Sequence, residues 1–423
     1  MKQLGRRHFL SLGAAASASA LLLPRFAFAG ASHTQARFVF IIMRGALDGL
    51  AAVPPYGDPA YANIRGELAI APPGQSNGTL KLNTLFGLHP RLAFLGESFA
   101  ARELVVFHAV ASPYRERSHF DGQDVLESGF TRPHAVQTGW LNRALAALPA
   151  QGAVRSKEAG VALGQNVPLV MRGPSPMASW SPARMPALDA DTLERITDLY
   201  ASDPLLSQRL ADGLATDSVA MEAQQEAAKD AGAPPPDGML ARAKPGNTGQ
   251  GPGRYLETVR AAAGFLKRDD GPQVAVFDTS GWDTHANEGG AQGQLASRLA
   301  VLDDALRTLK DSLGELWPHT AVVLATEFGR TAAVNGTRGS DHGTGTAAFL
   351  LGGAVQGGRV VADWPGLSVA SLYQRRDLAP TLDVRSVLKS VLRDHIGVPR
   401  RALDDSVFPD SASAKYLEGL VRA

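Results

Sequence analysis

Continuous apolar runs that stop abruptly in acid, histidine and glycine constrain this chain more than any other feature. Residues 274–277 read VAVF and run into DTSGWDTH; residues 321–325 read AVVLA and run into TEFGR, followed by a glycine-rich stretch and SDHG. An earlier run, FVFIIM at 38–43, ends in RGALDG. Continuous rather than alternating apolarity marks strands covered on both faces, as in a parallel sheet between helical layers. In such sheets ligands collect beyond the carboxyl ends of the strands. Asp283, His285, Glu327, Asp341 and His342 are therefore expected to meet in one crevice, with Asp48 beyond the end of the first strand. Hard oxygens and imidazoles suit a divalent cation such as Zn, Mn, Ca or Mg.

The remaining pattern fits the same architecture. Strands are expected at 104–109, 167–171 and 347–351, and helices at 92–101, 119–128, 136–150, 190–201, 254–268, 295–316 and 384–396. Strands alternating with helices imply an α/β fold with a mostly parallel, doubly wound sheet. Residues 54–80, rich in Pro, Gly and Asn, read as an excursion loop. Residues 215–253 pass from a Gln/Ala-rich stretch to a Pro/Gly-rich one and read as a mobile insertion. Strand patterns on both sides of it favour a single domain over 30–423.

Lys+Arg number 42 against 41 Asp+Glu, a net charge of +1, so no basic field points to nucleic acid. Cysteine is absent, which excludes thiolate metal sites, iron–sulfur clusters and cysteine nucleophiles. At the amino terminus Arg6-Arg7 precede an apolar, alanine-rich run and a small-x-small site at Ala27-Phe28-Ala29. This is the pattern of a twin-arginine (Tat) signal peptide over 1–29. The expected location is periplasmic or secreted, with the Tat translocase as a partner during export and no stable membrane anchor after cleavage.

Beyond the strand ends, Ser118 and Asp121 have the spacing of a helix amino-terminal cap. A serine at a helix start also suits a phosphate-type oxyanion. Ser118, with His119 beside it, is the candidate nucleophilic pair, and Arg330 the candidate clamp for a phosphate or sulfate oxygen. Read alone, an acid–histidine pair such as Asp283 and His285 is as readily a hydrogen-bonded loop anchor, and Ser118 a plain cap. No G-x-S-x-G elbow, H-E-x-x-H helix, P-loop or dinucleotide fingerprint occurs.

The motifs RGALDGL, LHP, SHFDGQDVLESG, GWLNRAL, GWDTH, TEFGR and SDHG, in that order, resemble the Tat-exported domain-of-unknown-function family 1501, which is sulfatase-like. That family is similar to the alkaline phosphatase superfamily. The resemblance implies a three-layer α/β/α sandwich with metal ligands on strand-end loops. It implies Asp48 as the first-strand aspartate touching metal and Ser118 as nucleophile. Asp283 with His285 would form one metal cluster, Glu327 another, and His342 would be the late histidine. One departure stands out: the superfamily's aspartate–histidine pair is Glu327-Phe328 here, one imidazole fewer.

The expected activity is metal-dependent hydrolysis of a small or polymeric phosphate or sulfate ester. The alternatives are an exported binding or assembly protein that keeps the fold, and a metal-free hydrolase using Ser118 and His285.

Overall fold

The computed structural model describes residues 35–149, 158–164, 166–182, 190–200, 202–230 and 252–422. The signal peptide expected at 1–29 and residues 231–251 of the expected insertion lie outside the described residues. Strands are β1 (Arg37–Arg44), β2 (Leu80–Lys81), β3 (Gly87–Leu88), β4 (Leu104–Ala111), β5 (Gly160–Leu163), β6 (Met177–Trp180), β7 (Val274–Ser280), β8 (Thr320–Ala325), β9 (Thr346–Leu351), β10 (Arg359–Val361) and β11 (Leu382–Asp383). The principal helices are α1 (Gly49–Ala52), α2 (Tyr61–Arg65), α3 (Ala93–Ala100), α4 (His119–Ser128), α5 (Trp140–Ala146), α6 (Ala190–Tyr200), α7 (Pro204–Asp230), α8 (Pro252–Lys267), α9 (Gln294–Leu313) and α10 (Val384–Val391).

Among the described residues nine strands form one sheet in the order β10-β4-β9-β8-β1-β7-β5-β6, with β11 also on β4. Strand β1 pairs in parallel with β7 and β8, while β9 runs antiparallel to both β8 and β4. The fold is thus a three-layer α/β/α sandwich on a mostly parallel sheet. The side chains of β1 show the layering. Val39, Ile41 and Met43 join a core with residues of α3, α8 and α9, whereas Phe38, Phe40 and Ile42 join a second core with α5, α10 and Phe408. Fully burying each such side chain contributes about 1.5–3 kcal/mol, so the central strand alone anchors both layers.

The reversal at β9 matters for the site. Because β9 begins at the sheet edge where β8 ends, the whole connection from Thr326 to Gly345 stays at that edge. Two glycines let this edge close up. Gly45 has φ +115°, and a Cβ there would lie 2.8 Å from the Asp283 amide nitrogen; at Gly343 a Cβ would lie 2.3 Å from the Arg330 carbonyl. Larger residues at either position would push these loops apart.

The expected strand at 167–171 is instead a 3₁₀ turn, Leu169–Met171, flanked by β5 and β6. Pro168 supplies no amide donor to a ladder, and the Asn142 amide donates to the carbonyls of Met171 and Ser175, each at 2.9 Å. The segment read as an excursion loop carries α2, whose Arg65 is fully buried. The closing helix changes to a π-turn at Leu392–Ile396. No helix among the described residues is long and apolar enough to cross a membrane.

Candidate metal centre

Three histidines from distant segments meet through one of them: the Nε2 atoms of His119 and His285 both face that of His342. His119 opens α4, His285 follows β7, and His342 lies just before β9. His342 Nε2 is 2.9 Å from His119 Nε2 and 3.0 Å from His285 Nε2. Asp283 Oδ1 lies 3.2 Å from His342 Nε2 and 3.0 Å from His285 Nε2, and Asp283 Oδ2 lies 3.5 Å from His119 Nε2.

The opposite ring nitrogens decide what these contacts mean. His119 Nδ1 is 2.7 Å from Glu327 Oε1, His285 Nδ1 is 3.0 Å from Asp341 Oδ1, and His342 Nδ1 is 3.0 Å from the Arg117 carbonyl. Carboxylates and carbonyls only accept, so each Nδ1 carries a proton and donates. A neutral imidazole then presents a bare lone pair at Nε2. The His342 lone pair thus faces those of His119 and His285 and an Asp283 oxygen, and a proton on one ring relieves only one of these contacts. A cation relieves all of them. Ligands on a tetrahedral zinc, with bonds of about 2.0–2.1 Å, sit about 3.3 Å apart, close to the separations here. Nδ1–H held by a carboxylate or carbonyl is also the arrangement that orients metal-bound histidines. The residues present fit a divalent cation, and His119, Asp283 and His342 offer ligand atoms all within 4.8 Å of one another.

The electrostatics separate the rings. The Glu327 contact raises the pKa of His119, against its partial burial. Burial, then the neighbouring His119, lowers that of His342. Burial works against ionisation of Asp283, but the Arg330 guanidinium holds its carboxyl below the ordinary range. Glu327, although buried, is likewise held low by His119, by Gln123 and by the Gly45 amide. The ligand side chains remain 24–45% exposed, so the centre is open to solvent on one side.

Several site expectations change. Glu327 and Asp341 do not point into the centre; they orient His119 and His285. Asp48 is not among the inward-facing atoms. Its Oδ1 caps α1 through the amides of Leu50 and Ala51, and its Oδ2 pairs with the buried Arg65 at 2.5 Å. Arg330 cannot clamp a substrate anion, because it is buried and its guanidinium is spent on Asp283, the Ser340 hydroxyl and the Ser340 carbonyl. Ser118 sits at the start of α4 without a side-chain cap bond. Its hydroxyl lies against the Tyr114 phenol, and its amide donates to the same phenol oxygen at 3.2 Å. His119, expected beside the nucleophile, is instead turned inward with the other two imidazoles. Its ring stacks on Phe328 at 5.0 Å between centroids. The imidazole counted as lost at position 328 is thus offset by one from α4.

Beneath the centre lies a buried triad that the sequence did not disclose. Arg65 faces both Asp48 and Glu288, the latter at 3.5 Å. Glu288 accepts from Ser340 Oγ at 2.5 Å and from Thr284 Oγ1 at 2.9 Å. Burial, then the Asp48 carboxylate, pushes the Glu288 carboxyl up to about 8. Asp48 shifts the other way: burial opposes its ionisation, but Arg65 holds it below its usual value. Between Glu288's ordinary value of 4.5 and about 8 the native chain keeps a proton that the unfolded chain releases. The stability this confers is complete below the unfolded value and is lost as the pH rises through the folded one. Urea midpoints are expected to fall across that window, and Glu288→Gln is expected to flatten the fall. A wild-type profile that rises through the window would show Glu288 ionised in the native state.

A model of the family described as protein of unknown function (DUF1501) matches residues 108–407. No curated protein matches the chain. Solved structures with some similarity include Ps i-CgsB in complex with k-i-k-neocarrahexaose (10% identity, TM-score 0.37, covering 90% of this chain and 77% of that one). The C-terminal periplasmic domain of EcEptC from Escherichia coli, complexed with Zn, is 12% identical, with a TM-score of 0.33 and 93% of each chain covered. The lipoteichoic acid synthase LtaP from Listeria monocytogenes is 10% identical, with a TM-score of 0.36 and 89% and 76% covered. Likeness at that level assigns no chemistry to this chain.

Proposed function

The chain belongs to this family of proteins of unknown function, and we propose that it is an exported, metal-dependent hydrolase of phosphate or sulfate esters. The approach of three Nε2 atoms to Asp283, with each opposite Nδ1 held by an oxygen acceptor, carries the metal dependence. His119, His285, His342 and Asp283 would hold the ion. Of the ions expected from sequence, a donor set rich in imidazole favours Zn or Mn over Ca and Mg. When bound, such an ion supplies Lewis-acid polarisation of an ester oxygen and lowers the pKa of an attacking group.

The chain's own residues fix that chemistry in place. Glu327, Asp341 and the Arg117 carbonyl set the three ring orientations, and Arg330 keeps Asp283 ionised. The open side of the centre admits the ester. The ester class rests on the ordered sequence motifs and their resemblance to the alkaline phosphatase superfamily; export rests on the paired arginines of the amino terminus.

Purified protein, stripped with a chelator and reloaded with zinc or manganese, is expected to cleave aryl phosphate or aryl sulfate only when loaded. Activity that persists in the stripped protein would favour the metal-free Ser118/His285 reading. Stoichiometric metal with no turnover on any ester would favour the second reading, a non-catalytic exported binding or assembly protein. One observation speaks for that second reading: Arg330, the expected anion clamp, is buried and paired with Asp283 and Ser340.

A further inference from the structure

The third histidine depends on an unusual support. His342 Nδ1–H donates to the carbonyl of Arg117, a non-glycine residue with φ +61°. Such a left-handed conformation persists only where the surroundings enforce it. Here the Arg117 side chain is held by Asp377. Its Oδ2 accepts from Arg117 Nε and lies beside Arg117 Nη2, each at 2.8 Å, and it also accepts from Thr344 Oγ1 at 2.8 Å. Arg117 Nη2 donates in addition to Gln374 Oε1 at 2.6 Å.

The same turn grips His342 from its other end, since Arg376 Nη2 donates to the His342 carbonyl at 2.8 Å. Gln374 and Arg375 themselves take φ +52° and +57°. Asp377 is fully buried, and its Oδ1 has no hydrogen-bond partner, only Arg376 Nη1 at 3.4 Å. A buried carboxylate that spends one oxygen on three donors around His342, and leaves the other nearly bare, is arranged for those donors.

We infer that Asp377 is a positioning residue for the metal centre, holding the Arg117 carbonyl where it fixes the tautomer and ring orientation of His342. This rests on the metal-site reading above. His119 and His285 take their orientation from carboxylates, which attract an Nδ1–H strongly; His342 takes it from a neutral carbonyl, whose direction is set only by backbone. Loosening Arg117 therefore frees the His342 ring without touching any ligand.

The test compares Asp377→Asn with the wild type by zinc competition against a chromophoric chelator and by the visible spectrum of the cobalt(II)-loaded protein. The variant is expected to bind zinc about 10–100-fold more weakly, the usual cost of losing a ring-orienting partner, and to show an altered cobalt spectrum. Arg117→Ala should reproduce the loss, and the double variant should add nothing further, because both act through one carbonyl. Asp404→Asn, which breaks the remote Lys389–Asp404 pair at 2.6 Å, serves as the control: it should lower thermal stability without changing zinc affinity. Unchanged zinc affinity and cobalt spectrum in Asp377→Asn, with normal metal in the wild type, would overturn this inference alone. A wild type that binds no metal would overturn it together with the reading beneath it.

Discussion

His342→Ala is expected to leave a folded protein that no longer retains a divalent cation. His342 Nε2 sits between the other two imidazole nitrogens and Asp283, so its removal deletes the atom the cluster shares. The loss of affinity should exceed the about 10–100-fold that follows from losing a ring-orienting partner. The histidine is a better test than Asp283. Removing Asp283 would also strand the buried Arg330 guanidinium, and a lost partner for a buried charge costs stability in its own right. The His342 side chain is partly exposed and meets His119, His285 and Phe328 edge-on or tilted, so thermal unfolding of the metal-free variant should differ little from that of the metal-free wild type. His285→Ala should behave in the same way. Equal metal content in wild type and both variants, measured by elemental analysis after gel filtration, would show that these loops do not share one ion.

Arg65→Met should be the most damaging single change to stability, at about 3–5 kcal/mol. The guanidinium is the cation facing both buried carboxyls, and it also donates to the carbonyls of Thr331 and Ala332 at 3.3 Å. It therefore ties α1, the Thr284–Glu288 loop and the β8–β9 connection into one unit below the metal centre. With Arg65 gone, the ionised Asp48 has only the amides that cap α1. The chemistry also predicts a rescue: replacing Asp48 and Glu288 by Asn and Gln together with Arg65→Met removes the uncompensated charge and should restore much of the loss. A urea midpoint for Arg65→Met close to that of the wild type would mean that the triad contributes little.

The fold was largely legible because its strands are buried on both faces and end in sharply different chemistry. Continuous apolar runs located β1, β4, β7, β8 and β9, and the helix at 119–128 has the bounds read from sequence. Four-residue β5 and β6 were missed, since short runs with Gly160 or Ser179 carry too little pattern to stand out. At the centre, composition marked which segments meet but not which atoms face inward. Asp283, His285 and His342 turn toward one another. His119 was expected only as the neighbour of the candidate nucleophile Ser118, and the geometry turns its Nε2 to His342.

Glu327 and Asp341 have the residue type of ligands, yet each accepts from a histidine Nδ1–H. No sequence spacing separates a carboxylate that binds metal from one that orients the imidazole beside it. The same holds for Asp48 and Arg330, whose charges meet partners in distant segments. Arg65 lies in the Pro/Gly-rich stretch read as an excursion loop, and Asp377 follows Arg375-Arg376 outside any expected element.

X-ray absorption at the metal edge, on wild-type protein reloaded with one equivalent of zinc, addresses the centre most directly. The proposed site predicts about three imidazole nitrogens near 2.0 Å, with the multiple-scattering signature of histidine rings, plus oxygen. That imidazole signature should weaken in His119→Ala as much as in His285→Ala and His342→Ala. A shell of oxygens without imidazole scattering, or zinc that dialyses away, would contradict the convergence of His119, His285 and His342 on one cation.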